Sequence, residues 1–211
     1  MKILLCGCMM QQERVAKKIR TSYPFVDIVF GTHVIHRLPE FLYRSLSAGK
    51  KVYELPDVDG VIVEDMPLHR DSDFKAWIPI MYGCNNFCTY CIIPRIRGHY
   101  RRFTIKKLVD KARKLAAGGV TELILVAQET TIYGLDLYGK KSLHILLKEL
   151  CRIEERHWIR VLYAYPEEIY PELIDTFANE SKICHYLDLP IQHASDRILA
   201  RMNRHGDRAL I

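Results

Sequence analysis

Three cysteines in the middle of the chain are spaced so that they could bind one metal centre. Cys84, Cys88 and Cys91 fall within eight residues of each other. Thiolates bind both zinc and iron–sulfur clusters. A structural zinc needs a fourth ligand, for which His99 is the nearest candidate, whereas three thiolates leave one iron of a four-iron cluster open to a further ligand.

The elements around these cysteines predict an α/β fold. From residue 77 onward, predicted strands alternate with predicted helices, which is typical of a parallel sheet with crossover connections. The strands are predicted at 77–81, 122–126, 159–163 and 186–189, and the helices at 105–117, 143–153, 168–179 and 195–202. The cysteines follow the first strand, and α/β folds place their active sites at the carboxyl ends of strands. This position favours an open cluster over a structural zinc.

The first seventy residues predict the end of a smaller α/β unit. Strands are expected at 3–5 and 26–30, and helices at 11–20 and 35–46. Residues 50–68 are charged and contain two prolines and a glycine, which favours a linker with one strand.

The longer string around the cysteines resembles a known family. It reads Gly83-Cys84-Asn85-Asn86-Phe87-Cys88-Thr89-Tyr90-Cys91-Ile92-Ile93-Pro94, followed by Arg97-Gly98. The Cys-x3-Cys-x2-Cys spacing, with an aromatic residue before the last cysteine, resembles radical S-adenosylmethionine (SAM) enzymes. The whole string resembles the methylthiotransferases among them.

This resemblance implies a fold, cofactors and an activity. The fold would be an incomplete parallel (βα) partial barrel at 71–211, preceded at 1–70 by the carboxyl-terminal part of the family's small α/β domain. Cys84, Cys88 and Cys91 would hold a [4Fe-4S] cluster whose open iron binds SAM. Reductive cleavage of SAM would then begin the insertion of sulfur and a methyl group into a C–H bond.

Two branches of this family are represented in different parts of the chain. Residues 1–94 resemble the MiaB branch, which modifies N6-isopentenyladenosine near the tRNA anticodon, through strings such as Cys6-Gly7-Cys8-Met9-Met10. Residues 95–211 resemble the RimO branch, which modifies an aspartate of a small-subunit ribosomal protein, through strings such as Tyr165-Pro166-Glu167-Glu168-Ile169. Because the MiaB-like part contains the cysteine string, tRNA is the expected substrate and the ribosomal protein the alternative.

The resemblance also implies a second cluster in the intact family enzyme. Cys8 matches the last of the three cysteines that hold it, and the other two are expected upstream of Met1. A further substrate-binding domain, the TRAM domain, is expected downstream, so the chain is interpreted as truncated at both ends. Cofactor cleavage without sulfur insertion is the expected behaviour of such a fragment. Cys6, Cys151 and Cys184 are expected to be buried apolar residues.

Further site residues are predicted at the ends of strands and after the cysteine loop. Tyr90, Gln128, Glu129 and Gln192 are expected to contact the cofactor, although a polar capping role would explain Gln128 and Glu129 equally well. Arginines after the loop can grip phosphate, or can simply form a solubilising rim. These candidate substrate-binding residues are Arg95, Arg97, Arg101 and Arg102.

The charge distribution favours an anionic partner. The chain of 211 residues carries a net charge of +6, and residues 75–114 hold ten Lys or Arg against one acid. Such a basic segment is typical of proteins that bind RNA or ribosomes. No apolar run approaches the ~20 residues of a membrane-spanning helix, which predicts a soluble, cytoplasmic protein. An electron donor such as flavodoxin or ferredoxin is expected, and a non-catalytic iron–sulfur or zinc RNA-binding module is the alternative of another class.

Overall fold

The computed structural model describes residues 1–56, 70–155 and 157–210, which form two compact units. Residues 1–56 together with 92–98 form the first unit, and residues 70–91 together with 99–210 form the second. Most of the predicted linker at 50–68 lies outside the described residues. The domain boundary at residue 70 therefore stays a prediction.

The first unit is built on a three-stranded parallel sheet with strand order β1-β2-β3. Its central strand β2 is buried on both faces, with Ile28 and Phe30 against Phe41 and with Val29 against Ile19 on the other side. This alternation follows from the two-residue period of a strand. The elements of this unit are β1 Leu4–Cys6, α1 Glu13–Ser22, β2 Ile28–Phe30, α2 Leu38–Ala48, β3 Val52–Glu54 and α3 Ile93–Arg97.

The second unit alternates strands and helices, as the sequence predicts. Its main sheet is parallel with strand order β4-β7-β8. The elements are β4 Lys75–Pro79, β5 Met81–Tyr82, β6 Arg101–Arg102, α4 Ile105–Ala117, β7 Glu122–Val126, α5 Leu135–Tyr138, α6 Leu143–Cys151, β8 Trp158–Val161, α7 Pro171–Asn179 and α8 Asp196–Arg201. Among the described helices of both units, none is long and apolar enough to cross a membrane.

One face of the main sheet forms the core of the second unit. Alternate residues such as Ile78, Leu125 and Val161 are at most 1% exposed and pack with the apolar sides of α4, α6 and α7. The helix α4 begins after Thr104, whose hydroxyl accepts a hydrogen bond from the Lys107 amide. It ends where Gly119 adopts φ +89°, a conformation that favours glycine.

The segment that contains Cys84, Cys88 and Cys91 lies between two short antiparallel strands, β5 and β6. The predicted strand at 77–81 is in fact two strands, β4 and β5, and β5 pairs with β6 in the register Met81 with Arg102 and Tyr82 with Arg101. Residues 83–100 lie between the two halves of this pair. A two-residue strand made of arginines has no periodic apolar pattern, so β6 cannot be predicted from local sequence.

The fourth predicted strand, at 186–189, is wrong. This segment runs beside β8 through isolated hydrogen bonds, from the Cys184 amide to the Ile159 carbonyl and from the Ala164 amide to the Asp188 carbonyl. Between them Tyr163 has φ +61°, a left-handed conformation that interrupts the extended backbone of β8. The regular ladder therefore ends at Val161, and the described main sheet has three strands.

Candidate metal centre

The cysteine loop begins directly after β5, beyond the carboxyl end of β4. Gly83 turns the chain with φ +77°, and Phe87 also has a positive φ of 47°. A turn then brings the Cys91 amide to the Cys88 carbonyl at 2.9 Å. The loop thus lies at the end of the strand where the sequence predicts the site.

The first two cysteines of the loop are buried and the third is partly exposed. Cys84 and Cys88 are each 5% exposed, and Cys91 is intermediate. Burial raises the pKa of the Cys84 thiol, and the nearby Glu129 and Cys88 raise it further. A buried thiol of this kind needs a cation to hold it as a thiolate, and an iron–sulfur cluster would supply one.

Two tyrosine hydroxyls lie against these two sulfurs. The Tyr100 hydroxyl is 3.9 Å from Cys84 Sγ, and the Tyr165 hydroxyl is 3.8 Å from Cys88 Sγ. Burial raises the pKa of both phenols above the ordinary value of 10.0. Both hydroxyls therefore keep their protons at neutral pH and can donate them to a thiolate.

The donor set fits a cluster better than a single ion. No group of three His, Cys, Asp or Glu side chains in the described parts of the chain converges closely enough to hold one metal ion. In a cluster each thiolate binds a different iron, so convergence on one point is not required. His99, the expected fourth ligand in the zinc interpretation, contacts Asn85 Oδ1 through its Nδ1 atom at 3.0 Å.

Two buried acceptors without partners follow β7. Glu129 is fully buried; its Oε1 accepts from the Thr131 amide at 2.7 Å and from the Thr131 hydroxyl, whereas its Oε2 has no partner among the described residues. Within the same part of the chain, Gln128 Oε1 is also buried without a partner. Burial raises the pKa of Glu129 to about 7. Because an unmet buried acceptor is costly, this arrangement fits a ligand that carries hydrogen-bond donors, such as an ammonium group.

Residues at and after the end of α8 form hydrogen bonds with the cysteine loop. These contacts are not predicted by the sequence. The Thr89 amide and hydroxyl donate to the carbonyls of Met202 and Arg201, both at 3.1 Å. The Asn203 side-chain amide donates to the carbonyls of Asn86 and Phe87, both at 3.2 Å. These four hydrogen bonds, called the α8 latch below, fix the backbone on both sides of Cys88.

A buried ion pair lies beside the latch. Arg204 and Glu167 have side chains that are 1% and 8% exposed, and they form two hydrogen bonds of 2.6 and 2.8 Å. The Arg204 guanidinium also stacks on the Tyr165 ring, 4.0 Å from its centre. A planar guanidinium suits this combination of stacking and paired hydrogen bonding.

The other two predicted cofactor contacts, Tyr90 and Gln192, are exposed, unlike Glu129. Tyr90 is 50% exposed, and its phenol has a raised pKa because of burial and its interaction with Cys88, while Arg204 lowers it. Gln192 is exposed and has φ +62°. Since residues 186–189 form no strand, Gln192 does not end one as predicted. Its contact with the cofactor stays a prediction.

The four candidate arginines differ in exposure. Arg95 is exposed, and Arg97 and Arg101 are intermediate. Arg102 disagrees with the predicted surface role, because its side chain is 1% exposed and forms an ion pair with Asp136. Burial lowers the pKa of Arg102 to about 10. The substrate contact predicted for Arg102 stays a prediction.

The cysteines outside the loop are more accessible than expected. Cys8 is intermediate and begins the 3-10 turn Cys8–Gln11 in the first unit. The prediction that Cys6, Cys151 and Cys184 are buried is wrong, because Cys6 is exposed and the other two are intermediate. Cys6 ends β1 and Cys151 ends α6, where packing covers a side chain from fewer sides, and Cys184 lies in the connection between α7 and α8.

A family model identifies the second unit. The model described as the radical SAM superfamily matches residues 78–211, which include all three loop cysteines. The chain belongs to the radical SAM superfamily. This confirms the family resemblance that the cysteine spacing indicated, and with it the α/β partial barrel.

Curated relatives of this radical SAM chain are methylthiotransferases. The ribosomal protein uS12 methylthiotransferase RimO of Lachnoclostridium phytofermentans is 47% identical over 203 residues, which cover 96% of this chain and 46% of the relative. The tRNA-2-methylthio-N(6)-dimethylallyladenosine synthase of Clostridium tetani is 41% identical over 206 residues, covering 98% and 46%. The chain thus spans about half the length of the curated relatives it matches.

Solved structures agree on the fold alone. The cobalamin-dependent SAM radical enzyme OxsB aligns with 99% of this chain and 38% of its own, with a TM-score of 0.55 and 13% identity. The radical SAM methyltransferase TsrM from Kitasatospora setae aligns with 65% of this chain and 27% of its own, with a TM-score of 0.53 and 18% identity.

Proposed function

We propose that this chain carries the cluster-binding and cofactor-binding part of a radical SAM methylthiotransferase. The observation that supports the proposal most strongly is the pair of buried thiols, Cys84 and Cys88, at the strand ends where two buried acceptors lack partners. The relatives named above are methylthiotransferases, and the chain is 47% identical to one of them.

Each residue of the centre has a distinct role in this proposal. Cys84, Cys88 and Cys91 hold a [4Fe-4S] cluster, and Gln128 and Glu129 accept hydrogen bonds from the amino group of SAM. When bound, the cluster and SAM supply a one-electron cleavage of the cofactor that begins hydrogen abstraction from an unactivated C–H bond. Tyr90 covers the outer side of Cys88, which limits the access of water.

Ribosomal protein uS12 is the substrate that the similarities favour, with an aspartate side chain as the modified group. The reason is the higher identity to the uS12 enzyme, 47% against 41% for the tRNA enzyme. The tRNA adenosine is the second candidate, because residues 1–94 contain the MiaB-like strings and residues 75–114 are strongly basic. Exposed Arg95 and the partly exposed Arg97 and Arg101 are the proposed substrate contacts.

The first unit has a supporting role in the proposal. Cys8 contributes one thiolate to a second cluster in the whole protein, and residues 1–70 belong to the domain that carries it. A flavodoxin or ferredoxin supplies the electron. Both candidate substrates belong to the translation machinery, so we expect the protein to act in the cytoplasm.

Anaerobic reconstitution tests the cluster and the cofactor together. The chain should bind about four irons, turn brown, and release 5′-deoxyadenosine and methionine from SAM when dithionite is added. The variant Cys88→Ala should lose both properties, and the control Cys184→Ala should keep them. A colourless chain with one bound zinc would contradict the proposal.

A second experiment separates the two substrates. The loaded chain, or a longer form that includes its flanking segments, is incubated with SAM and either uS12 or tRNA, and each product is analysed by mass spectrometry. Methylthiolated uS12 supports the first candidate, and methylthiolated adenosine in tRNA supports the second.

A further inference from the structure

We infer that Tyr100 and Tyr165 are positioning residues whose hydroxyls donate hydrogen bonds to the thiolates of Cys84 and Cys88 and raise the reduction potential of the cluster. The inference rests on the proposed function only in requiring that these cysteines hold a cluster. Two tyrosines from distant parts of the chain reach two sulfurs of one loop at 3.9 and 3.8 Å.

The direction of these hydrogen bonds follows from the chemistry of a bound cysteine. A cysteine that ligates iron is a thiolate and has lost its S–H proton. In each pair the phenol is then the group that holds a proton, so it is the donor. A hydrogen bond to a charged acceptor is stronger than one between neutral groups.

Each phenol is held in place by a second contact. The Tyr165 ring lies under the Arg204 guanidinium, which Glu167 fixes through two hydrogen bonds. The Tyr100 amide donates to Asn85 Oδ1 at 3.3 Å. The Tyr100 hydroxyl has Asn86 Oδ1 at 3.3 Å as a second acceptor for its one proton, and a thiolate at Cys84 is the stronger acceptor of the two. Both residues are part-buried at the contact, where water competes weakly for the sulfurs.

The effect on the potential has a definite sign. Reduction adds one electron to the cluster and increases the negative charge on its sulfurs. A hydrogen-bond donor stabilises the more negative state more strongly, and hydrogen bonds to the sulfurs are among the factors that set cluster potentials. Removing a hydroxyl therefore lowers the midpoint potential.

The test compares Tyr100→Phe and Tyr165→Phe with the wild-type chain after anaerobic reconstitution. Midpoint potentials are measured by dye-mediated titration with dithionite, followed by EPR of the reduced cluster. Each variant should shift the one-electron reduction equilibrium about tenfold toward the oxidised state, which is about 59 mV to more negative potential. The matched control is Tyr170→Phe, which removes a part-buried hydroxyl that contacts His144 instead of a cysteine.

Equal midpoint potentials in the wild-type chain and both loaded variants would overturn the inference. Should a phenylalanine variant lose iron, 3-fluorotyrosine at position 100 or 165 keeps the ring and strengthens the donor. The midpoint potential of the cluster in this variant should rise above the wild-type value, and an unchanged midpoint potential would likewise overturn the inference. A wild-type chain that binds no iron refutes the proposed function instead, so the two failures are distinguishable.

Discussion

Glu129 is the clearest example of a residue whose surroundings call for a ligand. It is fully buried, and one of its two carboxylate oxygens has no partner in the part of the chain that the structure describes. A hydrogen bond to a charged group is worth about 1.5–3 kcal/mol. We therefore expect Glu129→Gln to weaken SAM binding by roughly 10- to 150-fold, measured by anaerobic equilibrium dialysis on the iron-loaded chain.

The control for this variant is Glu149→Gln. Glu149 lies on α6 in a surface ion pair with Arg152, away from the cysteine loop. The Glu149→Gln variant should have the same iron content and the same SAM affinity as the wild-type chain. Equal SAM affinity of the Glu129 variant and the wild-type chain would argue against the proposed cofactor contact.

Glu129 should also make the stability of the iron-free chain depend on pH. Burial raises its pKa from 4.5 to about 7 in the folded state. A carboxyl with a raised pKa contributes stability below the unfolded pKa and loses it as the pH rises through the folded pKa. Between pH 4.5 and 7 the wild-type chain should lose at most about 3 kcal/mol relative to Glu129→Gln. Urea unfolding of both chains across this range measures the difference, and parallel curves would contradict the shift.

At the scale of elements, the α8 latch connects a helix end to the cysteine loop. Asn203 has φ +56° and donates two hydrogen bonds to the loop backbone. Asn203→Ala removes both bonds and places alanine in a left-handed conformation, at a combined cost of about 2 kcal/mol. Asn203→Gly removes the same bonds without the strain and should cost less. Urea unfolding of the iron-free variants measures both costs.

The latch should also slow the release of iron to a chelator. Asn203→Ala should release iron faster than the wild-type chain, because the backbone around Cys88 is then less constrained. Asn179→Ala is the matched control, since its side-chain amide bonds only to Asp175 in the helix α7. Identical release rates for the two variants would show that the latch does not hold the cluster loop.

Elements with strong local signals could be predicted from the sequence. The strand β7 and the helix α4 have the predicted bounds, because one is a continuous apolar run and the other lies between Thr104 and a glycine pair. The position of the loop cysteines after a strand is likewise predicted by the apolar run that precedes them. The ion pair of Glu167 and Arg204 could not be predicted, since its partners are 37 residues apart and no local pattern pairs them. Tyr163 has no sequence signal for its positive φ, and therefore the fourth strand was predicted wrongly.

For the whole molecule, cluster binding should be coupled to stability. A ligand that binds only the folded state stabilises that state by mass action. The loaded chain should therefore melt at a higher temperature than the iron-free chain, as measured anaerobically by circular dichroism. Cys84→Ala should abolish this gain, whereas Cys6→Ser, at an exposed position in the first unit, should keep it. Equal melting temperatures with and without iron would contradict this coupling.

The α8 latch has a consequence for the order of events during biosynthesis. Asn203 lies 117 residues after Asn86, to whose carbonyl it donates. At a translation rate of about 5–20 residues per second, roughly 6 to 23 seconds pass between the synthesis of the loop and that of its partner. Throughout that interval the cysteines emerge without their final backbone support. We therefore expect the loop to reach its final backbone conformation only after residues 201–203 have been synthesised.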